Sequence, residues 1–217
     1  MKHPLAFIHP EAQIAENVTI DPFATIEKDV VIGEGTHIYS HAVIMDGARI
    51  GKNCRIFPGA VIAGIPQDLK FHGEKSVAII GDNCIIANAT QIAGEVEIED
   101  YAVVGGASAV HQFTRIGRHT MIQGGSLVGK DVPPYVTAGR LPVSYAGLNS
   151  IGLRRRGFTN ETINAIQDIY RIIYQSGLNV SDAIAKVEAE IPQSAERDEI
   201  IEFVKKSSRG IIKGYNG

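Results

Sequence analysis

The chain has 217 residues, 44 % of them hydrophobic, with 21 Lys+Arg against 24 Asp+Glu and a formal net charge of −3. That balance, with a sequence pI near 6.2, excludes a general nucleic-acid binder, which needs a basic surface. No apolar run approaches the ~20 residues that cross a bilayer. The opening Met1-Lys2-His3-Pro4-Leu5-Ala6-Phe7-Ile8 lacks the uninterrupted apolar stretch of a signal peptide, so the expected location is cytoplasmic, with no membrane span.

From Ile8 onward an isoleucine or valine recurs at every sixth position: Ile8, Ile14, Ile20, Ile26, Ile32, Ile38, Ile44, Ile50, Ile56 and Ile62, then Ile80, Ile86, Ile92, Ile98, Val104, Val110, Ile116, Ile122 and Val128. Four residues after each stands a small side chain, as at Ala12, Val18, Ala24, Val30, Cys54, Cys84, Val96, Ser108, Thr120 and Ser126. Neither an amphipathic helix nor an alternating strand has this period. It identifies a hexapeptide parallel β-helix, in which each hexad is one short strand plus a corner. The expected fold class is an all-β solenoid plus α. Large aliphatics fill the interior and small residues pack beside them. Cys54 and Cys84 occupy small slots and read as buried hydrophobes rather than as a disulfide or reactive thiols.

The solenoid domain is expected over 1–145, with repeats running from about Phe7 to Val132 and an interruption near 63–79. Within that interruption Asp68 and Glu74 stand where isoleucines belong. Because Ile62 and Ile80 share one phase, the segment GIPQDLKFHGEKS is either an external loop or a distorted coil. Loops that break a regular scaffold are disproportionately functional. Pro133, Pro134 and Pro142 are expected to close the repeat, since consecutive prolines cannot feed a sheet ladder.

Residues 146–217 read as a small helical domain. Ile163, Ile166, Ile169, Tyr170 and Ile173 share a helical face, with Thr159 as N-cap and Gly177 as the stop. Ser181 is expected to open a shorter helix ending before Pro192, and Ser194 another that buries Ile200, Ile201, Phe203 and Val204 before Gly210. Such a domain buries little alone, so it is expected to pack on the solenoid or on a neighbouring copy. The charge-poor VVGGASAV stretch, 103–110, reads as an interface in a cyclic oligomer.

Several motifs then occur in one order: Ile32-Gly33-Glu34-Gly35-Thr36, Gln67-Asp68-Leu69-Lys70, Ala109-Val110-His111-Gln112-Phe113, Asp131-Val132-Pro133-Pro134-Tyr135 and Gly152-Leu153-Arg154-Arg155-Arg156-Gly157-Phe158. Together they resemble the UDP-N-acetylglucosamine acyltransferases over nearly the whole chain. The hexads alone would indicate only the wider hexapeptide transferase superfamily. The resemblance implies a left-handed β-helix, an exception to the right-handed crossover rule, built as a homotrimer with sites between subunits. It also implies transfer of a 3-hydroxyacyl chain from acyl carrier protein to the 3-hydroxyl of UDP-GlcNAc in lipid A biosynthesis, without a cofactor. Carried over by position, Gln67, Asp68 and Lys70 would contact substrate, and His111 and Gln112 would line the cleft. Gly94 would offer its N–H to the oxyanion. Asn149, Arg155 and Arg156 would face the sugar nucleotide's diphosphate end.

Each residue also has a plainer reading. Asp68 and Lys70 can be a solvated loop pair, Arg154 to Arg156 a solvated helix face, His111 a surface histidine and Gly94 a corner glycine. His9, His37, His41 and His119 fit no motif. There is no CxxC pair and no HxxxH spacing, and His72, His111 and His119 are not spaced as ligands, so no metal is expected.

One departure bears on the chemistry. The resemblance implies a histidine base in an HxAHD-type stretch, which this chain lacks, passing directly from IGDN into CIIANAT at Asn83-Cys84. Roughly two coils are missing in phase, which nearest-neighbour stacking tolerates. Glu95 stands where a second histidine is normal. The remaining candidates for base are Glu95 and His111. The alternative functions are a non-catalytic or engineered trimeric scaffold of this family, and a different hexapeptide enzyme such as an acetyltransferase or a zinc carbonic anhydrase relative.

Overall fold

A computed structural model describes residues 1–65 and 72–214. The hexads form short strands, mostly of two residues, that wind into a three-sided parallel solenoid of seven-, six- and nine-stranded sheets. Each strand hydrogen-bonds to the strand three further along, so one coil takes eighteen residues: Ile8 faces Ile26, Ile26 faces Ile44, and Ile44 faces Ile62. The aliphatics therefore stack in three interior columns. Ile20, Ile26, Ile38, Ile44, Ile56, Ile62, Ile86, Val104, Ile116 and Ile122 are wholly buried. Each such side chain contributes roughly 1.5–3 kcal/mol on burial, which is how strands this short persist.

The small slots behave as expected. Ala24, Ala42, Ala48, Ala60 and Ala102 are fully buried, and Cys54 and Cys84 are buried free thiols. Three residues after most aliphatics the backbone turns through a left-handed conformation. Gly35, Gly59 and Gly125 sit there at little cost, as do Asn17, Asn53 and Asn83, but so do Phe23, His41, Ala89, Tyr101, Ala107, Phe113 and His119. Left-handed φ is unfavourable for such side chains, so regular stacking imposes it.

The interruption adds no coil to the solenoid. Ile80 faces Ile50 and Ile86 faces Ile56 at a separation of thirty residues, twelve more than one coil. The strands Val61–Gly64 and Ala78–Ile80 are therefore successive sides of one coil, and of the residues between them the described ones, 65 and 72–77, join no sheet. At the Asn83-Cys84 junction the winding is regular: Ile80 faces Ile98 and Ile86 faces Val104.

The prolines do not end the sheet as expected. Val132 still bridges to Ile116. Beyond Pro133 and Pro134 the strand Val136–Gly139 rejoins the nine-stranded sheet, with Ala138 facing Ile122. Those prolines occupy a corner, where no ladder N–H is required. An antiparallel partner, Ser144–Leu148, then crosses the expected 145/146 boundary, and Lys213–Gly214 returns from the far end of the chain to pair with it.

Four helices follow: α1 (Ser150–Arg155), α2 (Asn160–Gln175), α3 (Val180–Glu190) and α4 (Ala195–Lys205). Thr159 caps α2 by accepting from Thr162 N–H, and its buried residues are the five expected. Ser194 caps α4. The α3 start is two residues earlier than Ser181 suggested, because Asn179, whose Oδ1 accepts from Asp182 N–H, is the residue that caps it. The helices pack on the solenoid: buried Tyr170 donates to the Pro134 carbonyl at 2.6 Å, Ser207 donates to Asp131 at 2.6 Å, and the Tyr135 hydroxyl bonds Glu199. No described helix is long and apolar enough to cross a membrane.

Candidate active site

The outer side of the seven-stranded sheet carries one row of side chains, Phe7, Thr25, Val43, Val61, Gln91, Ala109 and Leu127, set by its parallel register. None is charged, and Phe7 and Leu127 are 59 % and 62 % exposed. The VVGGASAV stretch rounds a corner, so Val103 lies on the nine-stranded sheet and only its Ala109 end joins this row.

At the upper end of that row lies a cleft of about 760 Å³, walled by Val61, Ile65, Ala93, Ala109 and Leu127 and rimmed by Gln91, His111 and Gln112. His111 and Gln112, chosen from the sequence, do come together here. His111 is exposed, and its Nδ1 lies 2.9 Å from the Gln112 carbonyl oxygen. That oxygen can only accept, so Nδ1 carries the hydrogen, and in the neutral ring the lone pair is then on Nε2. His111 is the one titratable side chain on the described cleft wall.

The other sequence-derived residues divide. Gly94 is buried, and its N–H donates to the Gly64 carbonyl at 3.1 Å. Glu95 is exposed, off the cleft wall, and accepts from Val77 N–H at 3.1 Å. Gln67, Asp68 and Lys70 lie outside the described residues.

Asn149, Arg155 and Arg156 gather around α1. Asn149 is its N-cap, accepting from Gly152 N–H at 3.2 Å and donating Nδ2 to the His119 carbonyl at 2.9 Å. Arg156 donates to the Tyr101 carbonyl at 3.0 Å and lies 5.3 Å from the centre of that ring. Burial lowers its pKa. Arg155 is exposed and has no partner among the described residues, so it is the freer anion contact.

Beneath these arginines is a cluster that the sequence reading passed over. His119, 7 % exposed, stacks between Tyr101 at 4.8 Å and Tyr135 at 5.7 Å, with Phe158 edge-on at 5.1 Å. Its Nδ1 has no partner among the described residues. Burial, then the charges of Arg156 and Arg118, bring its pKa down to about 4. A signal was present, since Tyr101 and His119 are one coil apart and therefore adjacent.

A parallel solenoid of hexads, carrying an apolar cleft with one histidine on one face and an arginine pair at the corner between the other two sheets, defines a hexapeptide-repeat transferase. Residues 11–46 and 29–64 match the model described as bacterial transferase hexapeptide (six repeats), and residues 131–212 match that of UDP N-acetylglucosamine O-acyltransferase, domain 2. The acyl-acyl carrier protein–UDP-N-acetylglucosamine O-acyltransferase of Anaeromyxobacter dehalogenans is 41 % identical over 254 residues, taking in 97 % of this chain and 99 % of that one. The chain belongs to this acyltransferase family. The enzyme of that name from Thiobacillus denitrificans is 40 % identical over 135 residues, 62 % of this chain and 52 % of the relative. A crystal structure of the UDP-N-acetylglucosamine acyltransferase from Bacteroides fragilis superimposes with a TM-score of 0.68 at 46 % identity, covering 98 % of this chain and 100 % of the other. Since 97 % of 217 residues is about 210, about 44 of the 254 positions aligned with the Anaeromyxobacter protein have no residue here. At eighteen residues per coil, that deficit corresponds to two coils and a short excursion.

Proposed function

We propose that this chain is a cytoplasmic homotrimer of lipid A biosynthesis. It moves a 3-hydroxyacyl group from acyl carrier protein to the 3-hydroxyl of UDP-GlcNAc, more slowly than relatives that keep the HxAHD-type histidine. The observation that carries this reading is the apolar cleft with His111 on its rim. An acyl chain matches the apolar walls, and His111 Nε2 has the free lone pair that a general base needs. On this reading Nε2 takes the proton of the sugar 3-hydroxyl, whose oxygen attacks the thioester carbonyl. The carrier's thiol leaves with that proton. Arg155 binds the diphosphate, and Arg156, braced on Tyr101, supports it. Gln67, Asp68 and Lys70 supply further substrate contacts.

Two features lower the rate. A general base placed for full effect contributes ~10²–10⁴-fold, and His111 was not placed for that task. Two coils fewer also bring the diphosphate end nearer the loop by about 10 Å, at the ~4.8 Å between stacked strands. An acyl-transfer assay beside a full-length relative tests the proposal. Turnover within tenfold of the relative would show that the lost stretch was dispensable. Residual turnover that survives His111→Ala would remove His111 from the reaction.

A second reading is a trimeric scaffold that binds sugar nucleotide or carrier protein without catalysis. It is favoured by the bonds already made by Gly94 and Glu95, which occupy the positions of the oxyanion donor and the second histidine. Binding of UDP-GlcNAc by calorimetry with no detectable transfer would select it.

A further inference from the structure

The hexad containing Ala93, Gly94 and Glu95 touches both limbs of the insert. On the outgoing limb, the Gly64 carbonyl accepts from Gly94 N–H at 3.1 Å. On the returning limb, Glu95 Oε1 accepts from Val77 N–H at 3.1 Å. Between them the Ser76 hydroxyl sits so close over Gly94 that a Cβ there would overlap it. The returning limb is also held from below, by a Lys75–Asp29 ion pair at 3.4 Å and by Ala78 N–H donating to the Gly47 carbonyl at 3.1 Å.

We infer that Glu95 is a positioning residue, whose carboxylate clasps the insert's returning limb to the coil that forms the cleft wall. Gly64 and Ile65 on the outgoing limb and Ala93 beside the clasp all line the cleft. The clasp therefore fixes where the insert rejoins the solenoid, next to the hexad that lines the cleft. Glu95 holds this post with a left-handed φ of 55°, an unfavourable conformation for a side chain of its kind. The role needs an acceptor oxygen and not a proton carrier, which separates it from catalysis. Its consequence for substrate rests on the acyltransferase reading above; the clasp itself does not.

Hydrogen exchange at the Val77 amide tests the clasp without any substrate. Glu95→Ala is expected to speed exchange about tenfold, because the amide loses a charge-assisted bond. Glu95→Gln retains an acceptor oxygen and is expected to stay within about threefold of the parent. In an acyl-transfer assay Glu95→Ala is expected to raise KM more than it lowers kcat. Parent-like exchange in Glu95→Ala overturns the clasp. So does a loss of transfer of more than tenfold in Glu95→Gln with exchange unchanged, since that is the behaviour of a base. If Glu95→Ala does not fold, Glu95→Asp supplies the same test: its carboxylate is one methylene shorter, so exchange at Val77 should speed up although the charge is kept. Parent-like exchange in Glu95→Asp as well overturns the inference, whereas absence of any transfer activity leaves the exchange result intact.

Discussion

Ile98 stacks on Ile80 eighteen residues back, while Ile80 stacks on Ile50 thirty residues back. One interior column thus runs past both the insert and the Asn83-Cys84 junction without losing register. The column is the element that keeps the solenoid whole there.

Ile98 is 1 % exposed, and Ile98→Ala should destabilise the protein by about 2–5 kcal/mol. At about 2–4 °C per kcal/mol for a chain of this size, the thermal midpoint falls by roughly 4–20 °C. Ile98→Asp buries an unpaired charge and should fall further still. An unchanged midpoint in either variant would mean that this column does not point inward.

Stability should fall with acid through His119. Its folded pKa of about 4 lies below the ordinary 6.5, so the folded state favours the neutral ring. That contribution is complete above pH 6.5, and it is lost progressively as the pH falls toward 4. Glu99 and Glu199, whose pKa values burial raises, act in the opposite sense as the pH falls. The informative measurement is therefore the difference between parent and His119→Phe in urea denaturation at several pH values. The gap should shift in favour of His119→Phe between pH 6.5 and 4. A gap independent of pH would contradict the assignment.

The two neighbouring arginines should separate cleanly. Arg156→Ala removes a hydrogen bond and a ring contact at Tyr101, and is expected to cost about 1–2 kcal/mol. Arg155→Ala touches nothing described and should stay within ~0.5 kcal/mol of the parent. It should nevertheless weaken UDP-GlcNAc binding by titration calorimetry. Equal stability losses in the two variants would contradict this division.

The uncharged row on the seven-stranded sheet should be covered by a second copy. Light scattering at micromolar concentration is expected to give a mass of three chains, each of 23.4 kDa. Phe7→Asp places a charge at the exposed start of the row and should shift the mass toward one chain. A single-chain mass for the parent protein would rule out the trimer.

Much of the fold was legible because a six-residue period leaves one consistent winding. The interior columns and the α2 face with its Thr159 cap follow from residue spacing. The sequence left the insert open between a loop and a distorted coil, because phase alone does not distinguish six residues from eighteen. The third sheet's passage beyond Pro133 and Pro134 was missed because a proline at a corner and one in a strand look alike in sequence. At the cleft, one motif pointed to His111 and Gln112, and both line it. The division between Arg155 and Arg156 was not, because it depends on Tyr101, fifty-five residues earlier. Nor did the sequence reveal the bonds of Gly94 and Glu95, whose partners belong to the insert.

The regular winding at Asn83-Cys84 has a wider consequence. Each coil presents its neighbours with the same three columns and the same corner geometry, so the fold has no means of counting its own turns. A copy two turns short keeps the same columns in the same register. The number of turns is then held only by the length of the molecule that must lie along them, and once that demand relaxes the count is free to drift.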